Sequence, residues 1–353
     1  MIVYPKLNFA IIGAGMIAEY HAQAIRANSE NGAHLAAIVH YNQQQFPDIE
    51  RRFGVHAMLE QEMLSRPDID VVCICTPSSQ HAGQTISAAQ AGKHVLVEKP
   101  MATSLAEADA MQKTCLENGV TLGVAFQSRT KPVFQKIHRA IQAGELGELT
   151  LGLVNLPYFR PQKYFDQAVW RGTWAQDGGG VLMNQGIHQV DLLTWYMGEP
   201  QEVCSFARTL HRQIEVEDTL SANLQFANGA LATINATTTA SPGFPPRIEI
   251  YGTQGGLQVE GDTLTRWWLD EQAQAAHIQS ALLASNEASL SEGAGAGADP
   301  RGISMAGHTA LVSDFIQAIH NNRSPLVDGV EGRRSLSTVL AIYQAAGLLS
   351  TRI

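Results

Sequence analysis

The chain has 353 residues, of which 45% are hydrophobic and 16% are charged, and its formal net charge is −9. This length allows roughly two domains, and the composition is that of an ordinary globular protein. The acidic balance and the lack of a basic run argue against binding to nucleic acid or to an anionic membrane surface. No apolar stretch reaches the roughly 20 residues that a membrane-spanning helix needs.

The N-terminal third alternates short apolar runs with amphipathic segments. The apolar runs predict strands at 9–12, 35–39, 70–75, 95–97 and 120–125. The segments between them have helical spacing near 16–27, 44–54, 79–91 and 104–118. Strands that are apolar on both faces and alternate with helices predict an α/β fold with a doubly wound parallel sheet.

The pattern changes after residue 125, so we divide the chain into domains 1–125 and 126–353. Helices are predicted at 131–143, 180–197, 306–321 and 332–349. Alternating strand-like stretches occur at 202–210, 219–226, 230–238, 247–251, 256–260 and 263–269. This order predicts a second, α+β domain with a mostly antiparallel sheet. Residues 270–300 are rich in Ala, Ser, Gly and Gln and predict an irregular loop.

The first strand is followed by a glycine motif, G-x-G-x-x-A at 13–18, which opens a helix. Gly13 allows the tight turn, and Gly15 lets the backbone approach a pyrophosphate. The helix N-terminus at Met16 and Ile17 offers free N–H groups to the phosphates. The strand–turn–helix context predicts a dinucleotide-binding domain.

The second strand ends in His40, Tyr41 and Asn42. An acidic residue at this place usually bonds the adenosine ribose of NAD, and a nearby arginine accommodates the 2′-phosphate of NADP. Neither is present, so His40 either contacts the ribose or faces solvent. The predicted cofactor is NAD or NADP, with NAD the preferred of the two.

Thr76, Pro77 and His81 follow the strand at 70–75. They lie at the carboxyl edge of the predicted sheet, where such folds bind ligands. A proline-bearing turn there would press on the nicotinamide or its ribose. We include His81 among the cofactor contacts, although a purely structural role is the stronger reading of that residue.

The next strand ends in Glu98, Lys99 and Pro100, at the same edge of the sheet. Lys99 would lie near the nicotinamide, where it can donate a proton or hydrogen bond to a substrate oxygen that gains charge. Pro100 restricts Lys99 to extended backbone conformations. The predicted cofactor contacts are Gly13, Gly15, Met16, Ile17, His40, Thr76, Pro77, His81, Glu98 and Lys99.

A second set of polar residues lies on the predicted helix at 180–197. Asn184, His188 and Asp191 are spaced i, i+4 and i+7, so they would share one face of an otherwise apolar helix. A polar stripe of this kind indicates a substrate site, and the alternative is a hydrogen-bonded core histidine. Asparagine is a weak metal ligand, so we predict no metal there.

An aromatic and cationic segment at 158–174 precedes the glycine run. It contains Arg160, Tyr164, Trp170 and Arg171. Aromatic faces and guanidinium groups suit a sugar ring that carries a carboxylate or phosphate. These four residues, with Asn184, His188 and Asp191, form the predicted substrate site. Ordinary aromatic packing in a loop is the alternative.

Together the motifs resemble the glucose-fructose oxidoreductase, inositol dehydrogenase and rhizopine catabolism (Gfo/Idh/MocA) family. The motifs that carry the resemblance are G-x-G-x-x-A at 13–18, T-P-x-x-x-H at 76–81, E-K-P at 98–100 and G-G-G-x-x-x-x-x-G-x-H-x-x-D at 178–191. The resemblance implies that Lys99 and His188 are the catalytic pair. Many members carry aspartate at the position of Asn184.

The resemblance implies an NAD(P)-dependent oxidoreductase that oxidises a secondary hydroxyl of a sugar, sugar derivative or cyclitol, or reduces the keto form. It also implies a large open sheet in the second domain, through which the protein would form a homodimer or homotetramer. Two alternatives stay open. One is an NAD-dependent glycoside hydrolase that works by transient oxidation, and the other is a non-catalytic dinucleotide-binding sensor.

The four cysteines, Cys73, Cys75, Cys115 and Cys204, have no metal-binding spacing. Cys73 and Cys75 alternate within an apolar run, which is typical of buried free thiols. We therefore expect a reduced, cytoplasmic protein.

Overall fold

The computed structural model describes residues 5–270 and 305–349. These residues form two compact units. The first unit comprises residues 5–130 and 305–336, and the second comprises 131–270 and 337–349. The irregular loop predicted for 270–300 lies, apart from Asp270, outside the described residues.

Six parallel strands form the sheet of the first unit. They are β1 (Leu7–Ile12), β2 (Ala33–Val39), β3 (His56–Met58), β4 (Val71–Ile74), β5 (His94–Val97) and β6 (Leu122–Val124). Their order is β3-β2-β1-β4-β5-β6. The predicted doubly wound parallel sheet is confirmed. The strand order reverses between β1 and β4, which is where such sheets bind dinucleotides.

The helices agree with most of the predicted segments. They are α1 (Met16–Ala27), α2 (Phe46–Phe53), α3 (Glu60–Ser65), α4 (His81–Gln90), α5 (Leu105–Glu117), α6 (Pro132–Gln142), α7 (Gln162–Asp166), α8 (Ile187–Met197), α9 (Met305–His320) and α10 (Gly329–Ala345). The single helix predicted for 180–197 is wrong in one respect. Residues Val181–Gly186 form a π-helical turn, and the α-helix begins only at Ile187.

The C-terminal segment returns to the first unit. Leu311, Phe315 and Ile316 of α9 are buried in the same hydrophobic core as Ala22 and Ile25 of α1. Helix α10 begins in the first unit and ends in the second. The observed division therefore differs from a single boundary at residue 125, because the first unit needs apolar side chains from α9 to complete its core.

Seven strands form the sheet of the second unit. They are β7 (Leu149–Pro157), β8 (Pro200–Arg208), β9 (Thr219–Phe226), β10 (Leu231–Thr237), β11 (Arg247–Gly252), β12 (Gly255–Glu260) and β13 (Thr263–Leu269). The order is β13-β12-β11-β7-β10-β9-β8, and only the β7–β10 pair is parallel. The mostly antiparallel sheet is confirmed, although its central strand, β7, was not predicted.

Along β9 and β10 buried residues alternate with more exposed ones, so one face of the sheet is covered and the other is open. All four cysteines are free thiols, and only Cys204 is exposed. Among the described residues, no helix combines the length and apolar character needed to cross a membrane.

Candidate active site

The glycine motif has the conformation that a phosphate-binding turn requires. Gly13 has φ +104°, and a Cβ atom there would lie 2.7 Å from the carbonyl oxygen of Cys75. Gly15 is exposed and has no neighbouring atom within 4 Å of the corresponding position. No side chain caps the N-terminus of α1, which begins at Met16. The free N–H groups and the open backbone at Gly15 therefore fit a pyrophosphate.

The residues after β2 are held by a local turn. His40 Nδ1 lies 3.2 Å from the backbone N–H of Asn42, and its ring packs on Tyr41 at a centroid distance of 4.6 Å. Arg52 of α2, which the sequence did not single out, donates to the backbone oxygen of Ala14 at 3.1 Å. The same guanidinium pairs with Glu19 at 2.5 Å. Arg52 therefore braces the glycine turn from α2, with its charge balanced by Glu19.

His81 joins the loops that follow β4 and β5. Its Nδ1 lies 2.8 Å from the carbonyl oxygen of Pro100, and its Nε2 lies 2.9 Å from that of Thr76. Burial lowers the pKa of His81, although these two carbonyls act in the opposite direction. Thr76 Oγ1 donates to Gln84 at 2.7 Å. The neutral ring has a single N–H, so it donates to one of these two carbonyls while it lies between the Thr76 and Pro100 backbones.

Glu98 is buried and forms an ion pair with His21 of α1. Its Oε1 lies 2.8 Å from His21 Nε2. Burial would raise the pKa of Glu98, but the hydrogen bond and charge of His21 outweigh this effect and lower it to about 2. Burial would also lower the pKa of His21. Its interactions with Cys75, Cys73 and Glu98 outweigh that effect and raise the pKa well above the ordinary value. Both groups are therefore charged at neutral pH.

His308 of α9 completes a buried cluster with this ion pair. The ligand atoms of His21, Glu98 and His308 all lie within 4.8 Å of one another, which a metal ion could bridge. The carboxylate of Glu98 is already neutralised by His21, so the cluster has no net negative charge to attract a cation. We interpret it as a buried ion pair rather than a metal site.

Lys99 directly follows Glu98, which its ion pair with His21 holds in place. Its backbone N–H donates to Glu98 Oε2 at 3.2 Å, its side chain is half-buried, and the Lys99–Pro100 peptide bond is cis. Ile74 and Val97 are paired in register, so β4 and β5 end side by side. Thr76, Pro77, Glu98 and Lys99 therefore lie together at the carboxyl edge of the first sheet.

In the second unit, Asn184 lies in the π-helical turn and His188 in the first turn of α8. Both side chains are half-buried, whereas Asp191 is fully buried. Asn184 Nδ2 donates to Asp177 Oδ1 at 2.7 Å, and the other oxygen of Asp177 accepts the backbone N–H of Gly172 at 2.9 Å. Asp177 was missed by the sequence analysis. It supplies a buried carboxylate next to the position where many family members carry their own.

The aromatic and cationic side chains of the 158–174 segment pack together. The guanidinium carbon of Arg171 lies 4.4 Å from the ring centroid of Tyr164 and 4.5 Å from that of Trp170. Arg171 Nη1 donates to the Tyr164 hydroxyl at 2.6 Å. The guanidinium carbon of Arg160 lies 5.6 Å from the ring of Tyr158 and 5.8 Å from that of Tyr164. The predicted residues Arg160, Tyr164, Trp170 and Arg171 are therefore neighbours.

Arg171 retains unused capacity for hydrogen bonding. Its Nε is buried and has no hydrogen-bond partner among the described residues. A buried donor of this kind is costly unless an acceptor is bound, so the position suits an anionic ligand.

Comparisons with protein families cover both units. A family described as "Oxidoreductase family, NAD-binding Rossmann fold" matches residues 7–126. The "GFO/IDH/MocA C-terminal domain" matches residues 134–258. The scyllo-inositol 2-dehydrogenase (NAD(+)) of Bacillus subtilis is 30% identical over 260 residues, which cover 71% of this chain and 73% of that protein. The 1,5-anhydro-D-fructose reductase of Ensifer adhaerens is 28% identical over 96% of both chains.

Solved structures of dehydrogenases are similar to this chain over nearly its whole length. The WlbA dehydrogenase from Bordetella pertussis, crystallised with NADH and UDP-GlcNAcA, is 33% identical and superimposes with a TM-score of 0.87. The match covers 98% of this chain and 97% of that one. A WlbA dehydrogenase from Chromobacterium violaceum, with the same two molecules bound, is 31% identical over 98% of this chain and 97% of that one, with a TM-score of 0.85. The first unit is accordingly an NAD-binding Rossmann domain.

The geometry of the glycine motif predicts a selective binding defect. Gly15→Ala places a methyl group in open space, so the thermal unfolding midpoint should stay within about 1 °C of the wild type. The same methyl would obstruct the pyrophosphate, so the Kd for NAD should rise at least about tenfold. Fluorescence titration measures the Kd. Gly83→Ala, another site with no atom within 4 Å, is the control for NAD affinity and should leave the Kd unchanged. Unchanged NAD affinity in Gly15→Ala would contradict the assignment.

Proposed function

Because the chain belongs to the GFO/IDH/MocA oxidoreductase family, we propose that it transfers a hydride between NAD and a secondary hydroxyl of a sugar derivative bearing an anionic group. The observation that carries this proposal is the buried, unsatisfied Nε of Arg171 within an aromatic cluster. It is supported by the 33% identity to a dehydrogenase crystallised with NADH and UDP-GlcNAcA. We therefore propose a uronic acid joined to a nucleotide as the substrate class.

We propose NAD rather than NADP as the cofactor. The glycine turn would hold the pyrophosphate through Gly13, Gly15, Met16 and Ile17, and Thr76 and Pro77 would face the nicotinamide half. No cationic side chain directly follows β2 to favour a 2′-phosphate, since His40 is engaged with Asn42. When bound, the nicotinamide accepts or returns the hydride.

We propose that Lys99 polarises the substrate oxygen. The Glu98–His21 ion pair fixes the backbone on one side of Lys99, and His81 fixes Pro100 on the other. These contacts hold the backbone of Lys99, and so the point from which its side chain leaves the edge of the sheet. The positive charge would stabilise the oxygen as it loses its proton during oxidation.

We propose that His188 takes the hydroxyl proton as a general base. His188 has a half-buried ring and lies four residues after Asn184. Asp177 orients Asn184 through the 2.7 Å hydrogen bond. The charge of Asp177 would favour the protonated imidazole formed during oxidation, so an acid at position 184 itself is not required. Asp191, being fully buried, would support the helix rather than touch the substrate.

The first experiment measures turnover directly. Purified protein with NAD or NADP is mixed with UDP-GlcNAcA, free uronic acids, neutral aldoses and inositols, and nicotinamide absorbance is followed. We expect NADH formation with UDP-GlcNAcA. Lys99→Ala and His188→Ala should each lower kcat about 10²- to 10⁴-fold, because each removes a proton-transfer or charge-stabilising group.

Lys136→Ala, on α6, is a control for the lysine substitution and should retain full activity. Binding of NAD without turnover of any sugar would contradict the proposal and favour a sensor. Cleavage of a glycoside without net NADH formation would favour the hydrolase that works by transient oxidation.

The guanidinium of Arg171 should determine affinity for the anionic group. Arg171→Gln should raise KM for UDP-GlcNAcA about 10- to 100-fold, because a hydrogen bond to a charged group contributes about 1.5–3 kcal/mol. The Kd for NAD should not change. Arg139→Gln, an exposed arginine of α6, is the matched control. An equal KM increase for neutral and anionic sugars would show that Arg171 does not recognise the charge.

We propose that the open face of the second sheet mediates self-association. Leu231, Leu151, Tyr251, Gly256 and Trp268 are register partners on consecutive strands, so they form one row across this face. Within the row, Leu231 and Trp268 are 52% and 59% exposed. An apolar row of this kind is typical of an interface rather than of a solvated surface.

Trp268→Glu tests this interface. Burying the new carboxylate would cost several kcal/mol, so we expect sedimentation velocity to show a smaller species than the wild type at equal concentration. Leu116→Glu, at an 82% exposed position on α5, is the control and should sediment as the wild type does. A wild type that sediments as a monomer would refute the proposal.

A further inference from the structure

The π-helical turn before His188 is held by a carboxylate from outside the helix. The first N–H groups of a helix have no carbonyl partner within it and need acceptors from elsewhere. Glu217 Oε2 accepts the N–H of Gly180 at 2.8 Å, and its Oε1 accepts that of Leu182 at 3.0 Å. The backbone oxygen of Glu217 accepts the N–H of Val181 at 3.1 Å. One residue thus satisfies three successive donors.

Tyr343 of α10 supplies the remaining acceptor. Its hydroxyl oxygen accepts the N–H of Met183 at 3.0 Å and shares that of Gly180 at 3.2 Å. The hydroxyl proton is donated to Glu217 Oε1 at 2.7 Å. Every backbone N–H from Gly180 to Met183 therefore has an acceptor on Glu217 or Tyr343, and both side chains are buried.

The acceptors on Glu217 and Tyr343, which we call the cradle, explain why two of the three residues that precede the turn are glycines. A Cβ atom at Gly180 would lie 1.8 Å from the backbone oxygen of Glu217. A Cβ atom at Gly179 would lie 2.5 Å from the Tyr343 hydroxyl. Any side chain at either position would push the turn away from its acceptors, so the contact itself requires glycine.

Asp218, the residue after Glu217, holds the chain next to the cradle in place. Asp218 accepts the backbone N–H groups of Leu210, His211 and Arg212 at 2.9, 2.7 and 2.8 Å. These bonds anchor the chain next to Glu217 and leave the Glu217 carboxylate facing the turn. The cradle is thus attached to the sheet at β9 rather than to a loose loop.

We propose that Glu217 and Tyr343 are positioning residues that set the orientation of His188 by fixing the π-helical turn from which α8 continues. This inference rests on the proposed role of His188 as the general base. It goes beyond that role, because neither residue belongs to the predicted site and both act only through the backbone.

The cradle depends on the ionised form of Glu217, in which both side-chain oxygens are hydrogen-bond acceptors. Burial raises the pKa of Glu217 to about 7, while the hydrogen bonds from Leu182, Tyr343 and Gly180 act in the opposite direction. Both carboxylate oxygens accept hydrogen bonds, so a glutamine amide, which carries a donor, would face a donor. Glu217→Gln is therefore an isosteric change that breaks the cradle.

The decisive test compares Tyr343→Phe with the wild type in three measurements. Hydrogen exchange of the 178–190 segment should become faster, because the N–H of Met183 loses its acceptor and that of Gly180 loses the weaker of its two. The NMR titration of His188, assigned with His188→Gln, should shift. With NAD and UDP-GlcNAcA, kcat should fall about tenfold or more, since displacing a reacting group by about 1 Å has effects of this size. The Kd for NAD, bound by the first unit, should stay the same.

Controls separate positioning from stability. Tyr196→Phe removes another buried hydroxyl, which donates to the backbone of Phe134 at 3.3 Å, and should lower the melting temperature without slowing turnover. Glu217→Gln should change all three measurements more than Tyr343→Phe does, with Glu249→Gln as its control. If Glu217→Gln fails to fold, the comparison of Tyr343→Phe with the wild type still tests the positioning role.

Three outcomes would overturn the inference. One is unchanged exchange and His188 titration in Tyr343→Phe, and another is an unchanged kcat. The third is an equal loss of kcat in Tyr343→Phe and Tyr196→Phe. If the wild type turns over no substrate, the proposed function fails. The exchange and titration measurements would then still support or refute the positioning role on their own.

Discussion

The hydrogen bond from a backbone N–H group to a buried carboxylate is the interaction on which the proposed roles of Lys99 and His188 both depend. Glu98 accepts the N–H of Lys99, and Glu217 accepts those of Gly180 and Leu182. A buried carboxylate is costly unless it is well paired, so each acid confines its donors to a narrow range of geometries. The two charges are compensated differently. Glu98 faces the imidazolium of His21, whereas Glu217 accepts hydrogen bonds from N–H groups and a phenol.

The parts of the site that the sequence predicted are those whose chemistry is local. The glycine motif, the residues at the ends of β4 and β5, and the polar residues around His188 each lie within about one turn or strand of their neighbours. Asp177 was missed although its partner Asn184 is only seven residues away, because it lies before the glycine run and outside the predicted helix. Glu217 and Tyr343 were missed because they are distant in sequence from each other and from the turn that they contact. Glu217 and Tyr343 are 126 residues apart, and a buried tyrosine on a C-terminal helix gives no local sign of what it bonds.

The elements of the fold that were not predicted likewise lack a local signal in the sequence. Strand β3 has three residues at the edge of its sheet, too few to show a period. In β7 the exposed face carries Leu151 and Leu153, while Gly152 lies on the buried face, so the usual alternation of apolar and polar residues is absent. The π-helical turn was predicted as α-helix because its residues are apolar with helical spacing. The acceptors on Glu217 and Tyr343 that accompany this turn are distant in sequence, so its local residues did not indicate a π-helical geometry.

The return of α9 to the first unit has a consequence for biosynthesis. Domains of a growing chain generally fold as units, the N-terminal one first. Here the Rossmann sheet lacks Leu311, Phe315 and Ile316 until the ribosome has passed through the whole of 131–270 and reached 305–320. During that interval the apolar side chains of α1 that share this core, Ala22 and Ile25, lack their partners on α9. Nascent chains should therefore engage chaperones through the first unit for longer than a Rossmann domain of contiguous sequence would.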